Sequence, residues 1–244
     1  MIDDRLKEFI EEKNDACKYH NNKKFIKLKE LLNEKVEQPH ETQPNTPNLC
    51  KVKSVNETAF QRAIFNAKTS SLIFANSNEK KVEWLDLELP ITFKPRTSRR
   101  KCVDLVGKLD KPFICELKYM KKSKGDPPEY GFFELLIYFY LLSCKPKELD
   151  EEEVYHKIEN RDKFKWSDIS KNKFMILAAN ESYWTYWKKG ENDIFNFVAE
   201  AQMELGIKIC LFNTEDVDFK EQKGNEPFYR PLINNNSWTE VTER

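Results

Sequence analysis

The chain has 244 residues, and its 41 Lys or Arg balance its 41 Asp or Glu, so the formal net charge is zero. Apolar residues make up 39% and aromatics 13%, enough apolar surface to offset ordering entropy, which excludes a disordered chain. With only 6 Gly it is no collagen or linker protein, and a chain of this length buries a core without a disulfide or metal staple.

No apolar run approaches the roughly 20 residues that cross a bilayer. The densest, Phe132 to Leu142, contains Glu134. No membrane partner is expected. The N-terminal stretch MIDDRLKEFIEEKNDA is charged throughout and does not read as a secretory signal. A cytoplasmic or otherwise intracellular protein is expected. Cys17, Cys50, Cys102, Cys115, Cys144 and Cys210 are scattered, with no C-x-x-C spacing and no paired His motif. They read as reduced, small apolar residues, and no zinc is expected.

Residues 1–37 read as an N-terminal helical segment. Leu6, Phe9, Ile10, Ala16 and Cys17 recur at helical spacing, as do Phe25, Leu28, Leu31, Leu32 and Val36. His20-Asn21-Asn22 breaks the pattern and predicts a helical hairpin. Its expected role is accessory, as a homodimer or partner-protein contact. Residues 38–50, with three prolines in QPHETQPNTPN, read as a linker.

Residues 51–213 read as an α/β domain. A helix opens at Ser54-Val55-Asn56-Glu57, capped by Ser54 or Asn56, with Phe60, Ile64 and Ala67 on its apolar stripe. Ser71–Ala75 is a short strand. Val82–Phe93 alternates, with Leu85, Leu87 and Leu89 facing one way. Trp84, Asp86 and Glu88 face the other, as on a solvated outer face. Cys102–Leu109 and Phe113–Tyr119 are strands joined by Asp110-Lys111-Pro112, where Asp110 reads as a turn former. Glu129–Cys144 is a helix apolar on nearly all sides, hence buried. Lys173–Ala179, a helix at Asp193–Leu205 and Ile207–Phe212 form a strand–helix–strand unit, with Asn192 as cap and Gly206 past the helix end. Such a unit implies a parallel pair with a right-handed crossover. Tyr183, Trp184, Tyr186 and Trp187 read first as packing or a surface patch and second as a base-stacking surface. Residues 214–244 are a polar, poorly patterned C-terminal segment.

The chemistry concentrates on the central hairpin. Asp104 lies inside the apolar strand CVDLVGKL, and Glu116 and Lys118 lie in FICELKYM. Strand side chains alternate, so Glu116 and Lys118 share a face and Cys115 and Leu117 take the other. A tight hairpin brings Asp104 alongside. Two carboxylates in an apolar setting repel each other and lose hydration, and a divalent cation removes that cost. Mg²⁺ suits such hard oxygen ligands. Lys118 beside the metal would orient or deprotonate a water, or hold a phosphate oxygen, which describes metal-assisted phosphodiester hydrolysis. Asp86 and Glu88 are a rival acidic pair, without a Lys at the matching spacing.

This pattern, Asp104 followed on the next strand by Glu116-Leu117-Lys118, resembles the PD-(D/E)XK nuclease superfamily, over about residues 54–212. Val103 stands where the family's motif carries Pro. The resemblance implies a restriction-endonuclease-like fold, an open mixed central sheet flanked by helices. It implies that Asp104 and Glu116 bind Mg²⁺, with Mn²⁺ able to substitute, that Glu57 from the preceding helix assists, and that Lys118 is catalytic. It also implies an auxiliary polar residue from the following helix, for which Glu134 and Tyr138 are the candidates.

Residues 94–124 hold eleven Lys or Arg against three acids, a net of +8 in a chain that sums to zero. Arg96, Arg99, Arg100 and Lys101 precede the Asp104 strand, and Lys121, Lys122 and Lys124 follow Lys118. Such a patch attracts a phosphate backbone. The expected protein is a Mg²⁺-dependent nuclease, acting on DNA ahead of RNA and as an endonuclease ahead of an exonuclease. The rival is an inactive module of the same fold that binds nucleic acid or a partner protein.

Overall fold

The computed structural model describes residues 4–16, 28, 30, 32, 56–90, 102–120, 125–144, 146–151, 164–188, 193–214, 218–222, 228–233 and 236–243. The Pro-rich 38–50 stretch, Cys17, Cys50 and both basic runs at 96–101 and 121–124 lie outside the described residues.

Helix α1 (Asp4–Ala16) and α2 (Glu57–Asn66) precede four strands, β1 (Thr69–Ile73), β2 (Glu79–Pro90), β3 (Cys102–Lys108) and β4 (Pro112–Lys118). Then come α3 (Pro128–Cys144), α4 (Pro146–Glu151), α5 (Trp166–Asn172), β5 (Phe174–Asn180), α6 (Glu181–Trp187), α7 (Ile194–Leu205) and β6 (Lys208–Thr214). The described chain ends with a hairpin of β7 (Asp218–Gln222) and β8 (Phe228–Leu232), then β9 (Ser237–Glu240).

Local chemistry sets the ends of these elements. Asn56 caps α2, its side chain accepting from the Ala59 N–H at 3.0 Å. Gly206 ends α7 in the left-handed region at φ 61°, where a Cβ is penalised. β5 and β6 pair in parallel from Phe174↔Lys208 to Asn180↔Thr214, as the strand–helix–strand pattern predicts. The additional helix α6 lies within that crossover.

The open sheet expected from the resemblance is not what forms. Strands β1-β2-β3-β4-β5-β6-β9 make a closed barrel of mixed direction. β9 is the closing strand. It pairs parallel to β1 (Ser71↔Ser237 to Ile73↔Thr239) and antiparallel to β6 (Phe212↔Glu240, Asn213↔Thr239). It comes from the C-terminal segment, whose short SWTE strand offers no periodicity to read. Closure removes two sheet edges that would otherwise be open to pairing.

The barrel interior is filled from all of its strands. Leu72, Trp84, Leu105, Phe113, Ile176, Phe212 and Trp238 meet there, with Phe60, Ala63 and Ile64 of α2. Trp84 and Trp238 lie 5.1 Å apart between ring centroids, and the Trp84 indole N–H donates to Ser70 Oγ at 2.7 Å. Gly107 makes room: a Cβ there would fall 2.7 Å from Phe113 Cζ and 2.8 Å from Trp84 Cζ3. The outer core layers α1, α3, α5 and α7 over the sheet, and Leu6, Phe9 and Ile10 of α1 are buried in it with Leu28 and Leu32.

Strand β2 breaks its expected alternation. The ladder to β3 shifts register between Trp84 and Asp86, and Glu88 has φ 51°. Trp84 and Leu87 therefore go to the interior while Leu85 and Leu89 go outward. Trp84 and Asp86, expected on a solvated face, are buried. Tyr183 and Trp184 are core residues as well, in agreement with the packing reading.

Because Trp238 is fully buried at the closing strand, Trp238→Ala should cost about 3–5 kcal/mol in a denaturant melt. Amide exchange should rise in β1 and β6, the strands that would regain free edges. A loss below ~1 kcal/mol would show that closure does not depend on this side chain.

Candidate active site

The site forms at the carboxyl end of β4, where α2 from the interior and α3 from the outer layer converge on the barrel rim. The β3–β4 hairpin runs in register from Lys108↔Pro112 to Leu105↔Cys115. One step further, Asp104 stands beside Glu116. Cys115 and Leu117 fill the interior, as alternation requires. Asp104 turns one oxygen back on the hairpin, Oδ2 accepting from the Leu117 N–H at 2.8 Å.

Lys118 is the centre of the arrangement. Its Nζ donates to Glu116 Oε1 at 2.8 Å and to Glu134 Oε2 at 2.9 Å. Glu57 Oε1 lies 3.9 Å away, on a side chain still 45% exposed at the mouth of the site. The Tyr138 hydroxyl donates to Glu134 Oε1 at 2.5 Å and fixes the far side of that carboxylate. Helix α3 reaches Lys118 this closely because residue 131 is Gly; a Cβ there would sit 3.0 Å from Lys118 Cε. Glu57, Asp104, Glu116, Lys118, Glu134 and Tyr138 are thus brought into one cluster by four elements.

Burial governs the electrostatics. Desolvation, then the Glu57 charge, pushes the Asp104 carboxyl up to about 8, against the pull of Lys118 and the Leu117 N–H. Desolvation and then Asp104 hold Glu116 well above the usual carboxylate range, and desolvation raises Glu57. Desolvation alone would lower Lys118, but Glu116, Glu134, Glu57 and Asp104 together hold it well above 10.5. It is an ammonium at neutral pH and not a general base in this state. Desolvation and Glu134 likewise raise the Tyr138 hydroxyl, which stays a donor.

Do these residues suit a divalent cation? Glu116 Oε2 is buried without a hydrogen-bond partner among the described residues. A buried carboxylate oxygen of that kind is short of a cation or a donor. The nearby ligands are hard oxygens, and the thiol of Cys115 faces the interior instead, which fits Mg²⁺ or Mn²⁺ over softer metals. Among the described residues no group of three or more His, Cys, Asp or Glu is already gathered as a metal-ligand set. The Lys118 ammonium is the cation that Glu116 and Glu134 grip here.

Sequence reasoning passes over several supporting residues. Gln61, one turn after Glu57 on α2, is buried and donates from Nε2 to the Asp104 carbonyl at 2.6 Å. Asn180, at the end of β5, holds Met120 from both sides, accepting from its N–H at 2.9 Å and donating to its carbonyl at 2.8 Å. That clamp fixes the chain just past Lys118. The spacing of Gln61 from Glu57 was readable; the pairing of Asn180 with Met120 is non-local and was not. Asp86 and Glu88 stay apart from the site: Asp86 Oδ1 accepts from the Leu87 N–H at 2.8 Å, and Glu88 meets Arg62 at 3.6 Å.

Compared with family models, curated proteins and solved structures, the chain matches none.

A carboxyl raised by folding takes up protons on folding, so it lowers stability wherever the unfolded group is already ionised. For Asp104 that loss grows as pH rises from 3.8 to about 8 and then levels off. Glu116 and Glu57 act in the same direction. The Lys118 contribution is present below 10.5 and is lost only above it. In chelator, wild type should melt lower near pH 8 than near pH 5, and Asp104→Asn should narrow the gap. An equal or wider gap in the variant would show that Asp104 ionises freely.

Proposed function

We propose that this protein is a Mg²⁺-dependent nuclease that hydrolyses phosphodiester bonds, in DNA ahead of RNA, and endonucleolytically. The observation that carries the reading is the meeting of Asp104, Glu116 and Lys118, at the spacing of the PD-(D/E)XK motif, with Glu57 and Glu134 around one buried ammonium. The likeness is one of residue pattern; the sheet that carries it is closed.

Asp104 and Glu116, with Glu57 at the mouth, would hold the ion through carboxylate oxygens. Bound there, Mg²⁺ supplies Lewis-acid stabilisation of a phosphoryl oxygen and a more acidic water. Lys118 contributes as a charged donor. Glu116 and Glu134 engage two of its three N–H groups, leaving one for a phosphate oxygen or an attacking water. Glu134, anchored by Tyr138, is a positioning residue that aims Lys118 and offsets its charge. Arg96, Arg99, Arg100, Lys101, Lys121, Lys122 and Lys124 flank the hairpin in sequence and would hold phosphates without reading bases.

The test is cleavage of labelled single- and double-stranded DNA and RNA with Mg²⁺, Mn²⁺ or EDTA. Metal-dependent cleavage of DNA is expected. Asp104→Asn and Glu116→Gln should abolish it, and Lys118→Met should lower turnover by about 10²-fold or more. Cleavage unaffected by these variants would overturn the site. Binding without cleavage would favour the rival module, in which the Lys118 charge is spent on Glu116 and Glu134.

A further inference from the structure

A cavity lies at the end of the barrel opposite the Lys118 cluster. It opens where β1 turns into β2, where β3 turns into β4, and at the amino ends of β5 and β6. Its volume is about 480 Å³, within the range of small-ligand sites. Seven-residue strands separate it from Lys118, roughly 20 Å at ~3.3 Å per residue.

Its lining combines three kinds of group. Lys80, Lys111 and Lys208 bring positive charge, Phe74 and Phe174 bring ring faces, and Asp110 brings one carboxylate. Lys208 Nζ stands 5.9 Å from the Phe74 centroid and 6.0 Å from the Phe174 centroid. Ring quadrupoles hold this ammonium, and among the described residues it forms no ion pair. The frame is tied together in advance. Phe74 N–H donates to the Asn78 carbonyl at 2.9 Å, Asn172 Nδ2 to the Pro112 carbonyl at 2.9 Å, and Lys208 N–H to the Lys173 carbonyl at 2.8 Å. The β1–β2 turn is thereby closed, and the starts of β4, β5 and β6 are tied to their neighbours around one cavity.

We propose that this cavity binds a nucleoside monophosphate. On binding, Lys208 would swing from the rings to the phosphate beside Lys80 and Lys111, and the base would take its place on the phenyl faces, since aromatic stacking suits any base. Asp110 would accept from ribose hydroxyls, as a carboxylate commonly does for bound dinucleotides. A bare anion would leave the rings unused, and an uncharged apolar ligand would leave a net excess of lysine over carboxylate. The site is independent of the nuclease reading.

The experiment is calorimetric titration of the full chain with adenosine 5′-monophosphate in EDTA, which removes any metal-dependent binding at the Lys118 cluster. Saturable binding is expected, with adenosine and inorganic phosphate each weaker by about tenfold or more. Lys208→Gln and Lys111→Gln, both at exposed positions, should each weaken binding by about tenfold at an unchanged melting temperature. Absence of saturable binding would overturn the proposal. So would equal binding of phosphate alone, or binding unaffected by the lysine variants.

Discussion

A lysine ammonium buried beside carboxylates is the constraint around which this rim of the barrel is organised. Taking Lys118 and Glu116 out of water costs several kcal/mol for each ion, and only close, hydrogen-bonded partners offset that cost. Glu116 and Glu134 supply those partners at 2.8 and 2.9 Å. The geometry in turn fixes its surroundings. α3 approaches closely, which Gly131 eases: a Cβ there would crowd Lys118 Cε and Leu177 Cδ1 at 3.0 Å. Glu134 must be held on its other side, which Tyr138 does. β4 must end where Asn180 clamps Met120. Gln61 ties α2, which carries Glu57, to the β3 backbone at Asp104.

A purely structural ion cluster would satisfy its charges. This one leaves Glu116 Oε2 buried and unpartnered among the described residues, and burial raises Asp104 to about 8. More carboxylate surrounds Lys118 than one ammonium can neutralise. In the proposed reading, that surplus is what a bound divalent cation would offset. It also has a cost, because carboxyls raised by burial lower stability at the pH where the unfolded groups are ionised.

Much of this was legible in the chain itself. Alternation alone put Glu116 and Lys118 on one face and Cys115 and Leu117 on the other, and the Asp110-Lys111-Pro112 turn brought Asp104 beside them. The continuous apolar character of 129–144 predicted a buried helix, and Gly206 marked the end of α7. What the chain concealed is non-local. β9 is four residues long with Trp238 as its buried side chain, so nothing in its pattern distinguishes a barrel-closing strand from a polar tail. The bulge in β2 and the positive φ of Glu88 depend on how β2 meets β3. Strict alternation therefore misplaced Trp84, Asp86 and Leu87. The cavity between Phe74 and Phe174 joins turns far apart in sequence, and each of its lysines reads alone as a solvated charge.

The central claim is that the carboxylates around Lys118 bind a divalent cation. Paramagnetic titration of metal-free full-length protein with Mn²⁺ tests it most directly, because it requires neither substrate nor turnover. The account predicts saturable binding above about pH 8 that weakens as the pH falls through the raised Asp104 value. Binding should be lost in Glu116→Gln and Asp104→Asn while both variants stay folded. Absence of saturable Mn²⁺ binding, or binding untouched by both substitutions, would contradict it.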